Sequence, residues 1–249
     1  MENPRIIERI VCGIEYYMET LALPSHMEIY DDGIVSWIKP KEGIMGPAAV
    51  YKTNFADRPE DQIRQMIEAY RENGAPEYWC VSPLSATGLR DALVSLNMMA
   101  PKSDEDDQGM AIPPDQTARI PENSGIPVKR VANPEEFRIW TDICNEALHG
   151  CRLLDPDLYY PLCESEKMAC FLGYCGETPV ATSATMNNNG NGTLEFISTL
   201  PDFRKKGIGA AVCRAAINQL IGDGATLISL RARAMGVSLY ASLGFKAYY

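Results

Sequence analysis

The chain has 249 residues, 46% of them hydrophobic, enough to bury one large core or two modest ones. Its formal net charge of −10 argues against an extended nucleic-acid surface, which needs Lys and Arg clustered across a face, and suits cationic acceptors such as amines. No apolar run approaches the roughly 20 residues that span a bilayer, so neither a signal peptide nor a membrane anchor is expected, and the chain reads as cytoplasmic.

From the N-terminus, Ile6, Ile7, Ile10, Val11, Ile14, Tyr17, Met18 and Leu21 recur at three- and four-residue spacing, which predicts an opening helix with one apolar face. Two strands flank the turn Asp31-Asp32-Gly33, and residues 48–55 read as a third. A helix over about 59–73 buries Ile63, Met66, Ile67 and Tyr70; a strand at 78–81 and a helix at 89–96 follow. From Pro101 to Pro127 the hydrophobic periodicity stops. That stretch holds the acidic run Asp104-Glu105-Asp106-Asp107, then Pro113-Pro114, Pro121 and Pro127, the marks of a connection between lobes. The division expected is a first lobe over 1–110, a linker over 111–126 and a second lobe over 127–249.

The second lobe opens with a short strand at 128–131. Pro134-Glu135-Glu136 then starts a helix running to about Leu148, with proline and acidic residues where a helix start favours them. Asp155-Pro156 begins another short helix. Residues 168–174 and 180–186 read as an antiparallel pair, and 194–199 as a further strand. Behind it come the loop Leu200-Pro201-Asp202-Phe203-Arg204-Lys205-Lys206 and a helix opening at Gly207-Ile208-Gly209, ended by Gly222-Asp223-Gly224 before a strand at 225–230.

A helix start carries backbone N–H groups without intrahelical partners and a partial positive charge, so it receives phosphate groups. Gly207 and Gly209 let a ligand approach the backbone, and Arg204, Lys205 and Lys206 add positive charge in an acidic chain. The alternative is a solvated basic loop ahead of an ordinary glycine helix start. A dinucleotide fingerprint fits worse, since Val212 stands where its third glycine belongs, and the chain has no Gly-Lys-Ser or Gly-Lys-Thr of a P-loop. The eight cysteines, at 12, 80, 144, 151, 163, 170, 175 and 213, form no Cys-x-x-Cys pair. Reduced thiols and no metal are expected.

Arg204-Lys205-Lys206-Gly207-Ile208-Gly209 resembles the cofactor loop of the GNAT superfamily of N-acetyltransferases, which reads Arg or Gln, x, x, Gly, x, Gly or Ala. Thr199-Leu200-Pro201 before it and the run from Ala234 through Leu239-Tyr240 to Leu243-Gly244-Phe245 after the next strand match in order and spacing. The resemblance covers roughly Ile126 to the C-terminus. It implies an α/β fold with a mixed sheet, acetyl-CoA as co-substrate and an amine acceptor. It also implies that a splayed strand meets the pantetheine arm through Ile197, Ser198 and Thr199, and that the pyrophosphate meets the backbone of Lys205, Lys206, Gly207, Ile208, Gly209 and Ala210. The first lobe looks like an eroded copy. Trp79-Cys80-Val81-Ser82-Pro83 echoes the strand and proline, but Ala86-Thr87-Gly88-Leu89 supplies one glycine and no basic residue, so that lobe is expected to be structural or to wall the acceptor pocket with Trp37, Tyr78 or Trp79.

Acetyl transfer to an amine needs a neutral nucleophile, a donor for the oxyanion and a proton for the thiolate. The resemblance makes Tyr240 the candidate acid; a packing tyrosine is the alternative. Glu195, alternating with apolar neighbours and sharing a face with Ile197 and Thr199, is the candidate base, direct or through water; a salt-bridged or edge glutamate is the alternative. An acyl-cysteine route through Cys213 or Cys175 ranks below direct transfer. His149, Asp155, Asp157, Tyr159 and Tyr160 fall in the region that borders the acceptor in the family, although a surface-loop role suits each. The chain stops soon after Gly244-Phe245, where relatives usually add a strand, which leaves that sheet edge to the first lobe or to a partner chain in a homo-oligomer. A catalytically silent acyl-CoA-binding sensor or scaffold is the competing functional reading.

Overall fold

The computed structural model describes residues 4–55, 58–100, 107–117 and 125–249. In chain order it contains α1 (Pro4–Leu21), β1 (Met27–Asp31), β2 (Val35–Pro40), β3 (Ala49–Thr53), α2 (Glu60–Glu72), α3 (Leu89–Ser95), β4 (Gln108–Ile112) and β5 (Val128–Arg130). There follow α4 (Pro134–Cys144), α5 (Pro156–Glu164), β6 (Ala169–Cys175), β7 (Thr178–Asn188), β8 (Asn191–Thr199), α6 (Ile208–Gly222), β9 (Leu227–Ala232), α7 (Val237–Ser242) and β10 (Lys246–Ala247). The chain divides into two compact units, Ile14–Asp106 and a larger one formed by Met1–Gly13 with Asp107–Tyr249.

In the smaller unit β1, β2 and β3 form an antiparallel sheet. The Asp32 carboxylate accepts the backbone N–H of Ile34 and Val35 and so closes the β1–β2 turn. Trp37 and Trp79 pack into the core with Phe55, Ile63, Ile67, Leu89 and Leu93, while Tyr78 is exposed. The strand expected at 78–81 is reduced to one parallel bridge between Val50 and Trp79. α3 is only two turns long, and a side chain at its Gly88 start would meet the Glu60 backbone at 3.3 Å. The approach to that helix end is thereby narrowed by α2.

The larger unit is built on a seven-stranded sheet in the order β10-β4-β9-β8-β7-β6-β5, antiparallel except between β8 and β9. α6 supplies its main apolar face: Val212, Cys213, Ala216, Ile217 and Leu220 are fully buried. Fully burying an aliphatic side chain of this size contributes about 1.5–3 kcal/mol. Gly173 of β6 lets α6 come close, since a Cβ there would lie 2.5 Å from Val212 Cγ1. On the other side Asn133 caps α4 by accepting the Glu136 N–H, and Glu136 returns a bond to the Ala132 N–H.

One expectation is corrected. The linker placed at 111–126 begins inside a strand, because Met110, Ala111 and Ile112 of β4 are buried in register with Leu230, Ser229 and Ile228 of β9. A run of three apolar residues hemmed by acids and prolines is enough for a strand when both its edges find partners. The same strand answers the question of the open sheet edge. β4 lies between β9 and β10, and the chain end is clasped to it by Gly109 N–H to the Tyr249 carbonyl and Tyr248 N–H to the Gly109 carbonyl. Residues 104–106 and 118–124, including Pro121, lie outside the described residues.

Candidate active site

β8 runs parallel to β9 only through Asn191, Gly192 and Thr193, opposite Leu227, Ile228 and Ser229. From Leu194 to Thr199 the two strands have parted, and β8 pairs with β7 alone. The parting coincides with a β-bulge. Thr182 faces Ser198 and Ala184 faces Glu195, so Phe196 and Ile197 together stand against Ser183. Phe196 takes the left-handed conformation, φ +51°, which is strained for an aromatic residue.

Buried polar groups hold this bulge. The Thr182 hydroxyl donates to the Phe196 carbonyl at 2.8 Å, lies 2.7 Å from Ser198 Oγ and accepts the Cys144 thiol at 3.3 Å. With its one hydrogen given to Phe196, Thr182 receives from both neighbours, which uses its full bonding capacity. The Phe196 ring meets Trp140 edge-on at 5.3 Å and His149 at 6.3 Å. Across the bulge Glu195, Ile197 and Thr199 are half-buried while Phe196 and Ser198 are buried, the alternation expected from the sequence.

Burial pushes the Glu195 carboxyl up to about 7, against the pull of Arg231 from β9. Tyr240, at the buried side of α7, has its hydroxyl pKa raised by burial, with Cys213 and Glu195 adding to it. The structure therefore brings Glu195 and Tyr240 into one electrostatic neighbourhood. His149 closes a π-helical turn, Asn145–His149, after α4; its pKa is lowered by burial and by Arg233, and its Nε2 is enclosed without a partner among the described residues. The other residues of that region have structural work. Asp155 caps α5, Asp157 pairs with Arg138 at 2.7 Å, Tyr159 is core and Tyr160 packs on Phe137. Cys213 is fully buried with its thiol pushed up to about 12, which makes it a poor nucleophile.

At the end of β8 the chain turns through Pro201–Phe203 and enters α6. Lys205 (φ +60°) and Gly207 (φ +81°) both take left-handed conformations. Successive amides in such a turn point to one side and form a concave anion seat. No side chain caps α6, and Ala211 N–H donates to the Gly207 carbonyl at 3.1 Å, which leaves the amides at the helix start turned outward. The loop thus fits a pyrophosphate through its backbone. Two basic side chains also bond within the loop. Arg204 Nε donates to the Thr199 carbonyl at 3.0 Å, and Lys206 Nζ donates to the Asp202 carbonyl at 3.0 Å while lying over the Phe203 ring. Both brace the turn. Among the described residues no group of three or more His, Cys, Asp or Glu is arranged to hold a metal.

A mixed sheet parted at two parallel strands over an uncapped helix start defines the N-acyltransferase type of fold. Residues 128–245 match the model of the acetyltransferase (GNAT) family. Similar solved structures extend along nearly the whole chain. A GCN5-related N-acetyltransferase from Kribbella flavida aligns with a TM-score of 0.66 at 19% identity over 98% of this chain and 91% of that one. Another, from Sphaerobacter thermophilus, gives 0.58 at 15% over 88% and 79%. A tandem GNAT protein from the clavulanic acid biosynthesis pathway gives 0.52 at 12% over 95% and 92%. At these identities the likeness is one of fold, and the fold is a two-lobed GNAT arrangement. None of the curated proteins matches the chain.

Proposed function

We propose that this protein is an N-acetyltransferase that moves an acetyl group from acetyl-CoA to a primary amine of a small molecule or peptide by direct attack. The observation that carries the reading is the parting of β8 from β9 near the uncapped start of α6, which presents the amides of Lys205 to Ala210. Those amides would hold the pyrophosphate, with the α6 dipole behind them, and the exposed backbone edge of Ile197, Ser198 and Thr199 would hold the pantetheine arm.

The amine attacks the thioester carbonyl, a C–N bond forms, and collapse of the tetrahedral adduct breaks the C–S bond. Glu195, whose carboxyl titrates near neutrality, takes the proton from the amine directly or through water. Tyr240 gives a proton to the departing thiolate; its raised pKa keeps the hydroxyl protonated and also makes it a weaker acid, so the transfer relies on the charge that builds on sulfur as the C–S bond breaks. Holding both substrates in one cleft supplies proximity without an acyl-enzyme. In this reading the larger unit, residues 1–13 with 107–249, is the catalytic lobe, the protein works in the cytoplasm without a metal, and the smaller unit is a degenerate GNAT-like lobe with no phosphate seat. No helix among the described residues is long and apolar enough to cross a membrane.

Calorimetry with acetyl-CoA followed by a free-thiol assay over a panel of amines tests it. Binding together with acceptor-dependent thiol release is expected. Binding without release from any amine would favour the catalytically silent sensor, and no binding at all would overturn both readings.

A further inference from the structure

α5 and β6 carry two cysteines that no step of acetyl transfer uses. Cys163 is in the last turn of α5 and Cys170 is the second residue of β6, and their sulfurs are 3.3 Å apart. The connection between them is a tight turn in which Glu166 adopts φ +57° and the Met168 N–H returns to the Leu162 carbonyl at 3.0 Å. Both thiols are free, Cys170 only 1% exposed and Cys163 partly exposed. A disulfide needs about 2.05 Å between sulfurs, so closure asks for a movement of little more than 1 Å, within reach of side-chain rotation at the end of a helix.

We propose that Cys163 and Cys170 are an oxidation site that takes low-molecular-weight disulfides and closes to an intramolecular disulfide. Cys163 is the point of entry, because Cys170 is sealed in the core, where burial and the neighbouring Cys163 and Cys144 thiols disfavour its thiolate and only Arg130 opposes them. The Cys163 thiolate attacks one sulfur of oxidised glutathione, forming a mixed disulfide and releasing one reduced glutathione. The Cys170 thiol then loses its proton and attacks Cys163 Sγ, and a second reduced glutathione leaves. The two cysteines lose two electrons and two protons, and one oxidised glutathione becomes two reduced molecules. Cys144, the third thiol of this neighbourhood, is directed to Thr182 at 3.3 Å, which leaves Cys163 and Cys170 as the pair in contact.

The sequence makes the product easy to detect. Lys167 lies between the two cysteines, so trypsin separates a peptide of residues 153–167 holding Cys163 from one of residues 168–204 holding Cys170 and Cys175. The full-length protein is equilibrated over a ladder of oxidised to reduced glutathione, quenched with acid, alkylated and digested. Expected are a species two hydrogen masses lighter than the reduced chain and a cross-linked pair of these peptides, reversed by dithiothreitol. Cys175→Ser should retain the cross-link, and the partly exposed Cys163→Ser should abolish it while keeping the thermal melt of the wild type. Glutathione adducts alone on a folded wild-type chain, or a cross-link that vanishes in Cys175→Ser, would overturn the proposal.

Discussion

Glu195→Gln tests the electrostatic heart of the cleft by stability as well as by rate. The carboxyl is raised from an ordinary 4.5 to about 7 by burial, with Arg231 pulling the other way. A folded-state pKa above the unfolded one means that the native state binds the proton more tightly. The stability this confers is fully present below about pH 4.5 and is lost as pH rises through about 7. The gap between the two values corresponds to about 3 kcal/mol at most. Glutamine keeps the shape and carries no titrating group. The difference in unfolding free energy between wild type and Glu195→Gln, from urea titrations at half-unit steps between pH 4.5 and 8.5, should therefore slope against the wild type by up to about 3 kcal/mol. The same protonation should show in turnover as an ascending limb near neutrality that the variant lacks. A difference that stays flat across the range would refute the burial argument and remove Glu195 as a base tuned to neutral pH.

Three other substitutions address the parts around it. Gly207→Ala places a Cβ on a residue at φ +81° and should cost about 1–2 kcal/mol in urea unfolding while weakening acetyl-CoA binding in calorimetry. Thr182→Val removes the hydroxyl bonds to the buried Phe196 carbonyl and Ser198 hydroxyl, leaving the carbonyl the weaker Cys144 thiol at 4.0 Å, and should lower stability by about 1–3 kcal/mol, with Thr182→Ser recovering most of it. Tyr240→Phe should leave the melting temperature nearly unchanged and depress turnover more than cofactor affinity; unchanged turnover would take Tyr240 out of the acid role.

What could be read from the sequence was local. The loop from Arg204 to Gly209 and the α6 start are chain neighbours whose conformations follow from glycine and helix-start chemistry, so spacing alone located them. Strand β4 was hidden because it is made by pairing with β9 and β10, more than a hundred residues away in sequence. The strand read at 78–81 failed for the converse reason: apolar residues were present, but only Val50 was in position to pair. Nothing in Leu194-Glu195-Phe196-Ile197 announces the left-handed Phe196, since a bulge exists only in the count of residues against a partner strand. The destinations of Arg204 and Lys206 were equally beyond sequence reasoning, because the Thr199 and Asp202 carbonyls that receive them are set by the local fold of the loop.

The cleft lies where the fold leaves backbone hydrogen bonds unmade. β8 gives up its β9 partner after Thr193, and a few residues on, α6 begins without a side-chain cap. A backbone group left unsatisfied away from water costs about 1–3 kcal/mol, so two such sets side by side persist only where solvent or a ligand takes their place. The rest of the unit is arranged to sustain that opening. Thr182, Ser198 and Cys144 secure the strained bulge, Arg204 ties the loop back to Thr199, and β4 seals the far side of β9. A ligand that fits must offer acceptors along an extended arm and a cluster of anionic oxygens at its end. A pantetheine chain joined to a pyrophosphate has that order of groups, and a compact anion such as free phosphate would satisfy only the second set.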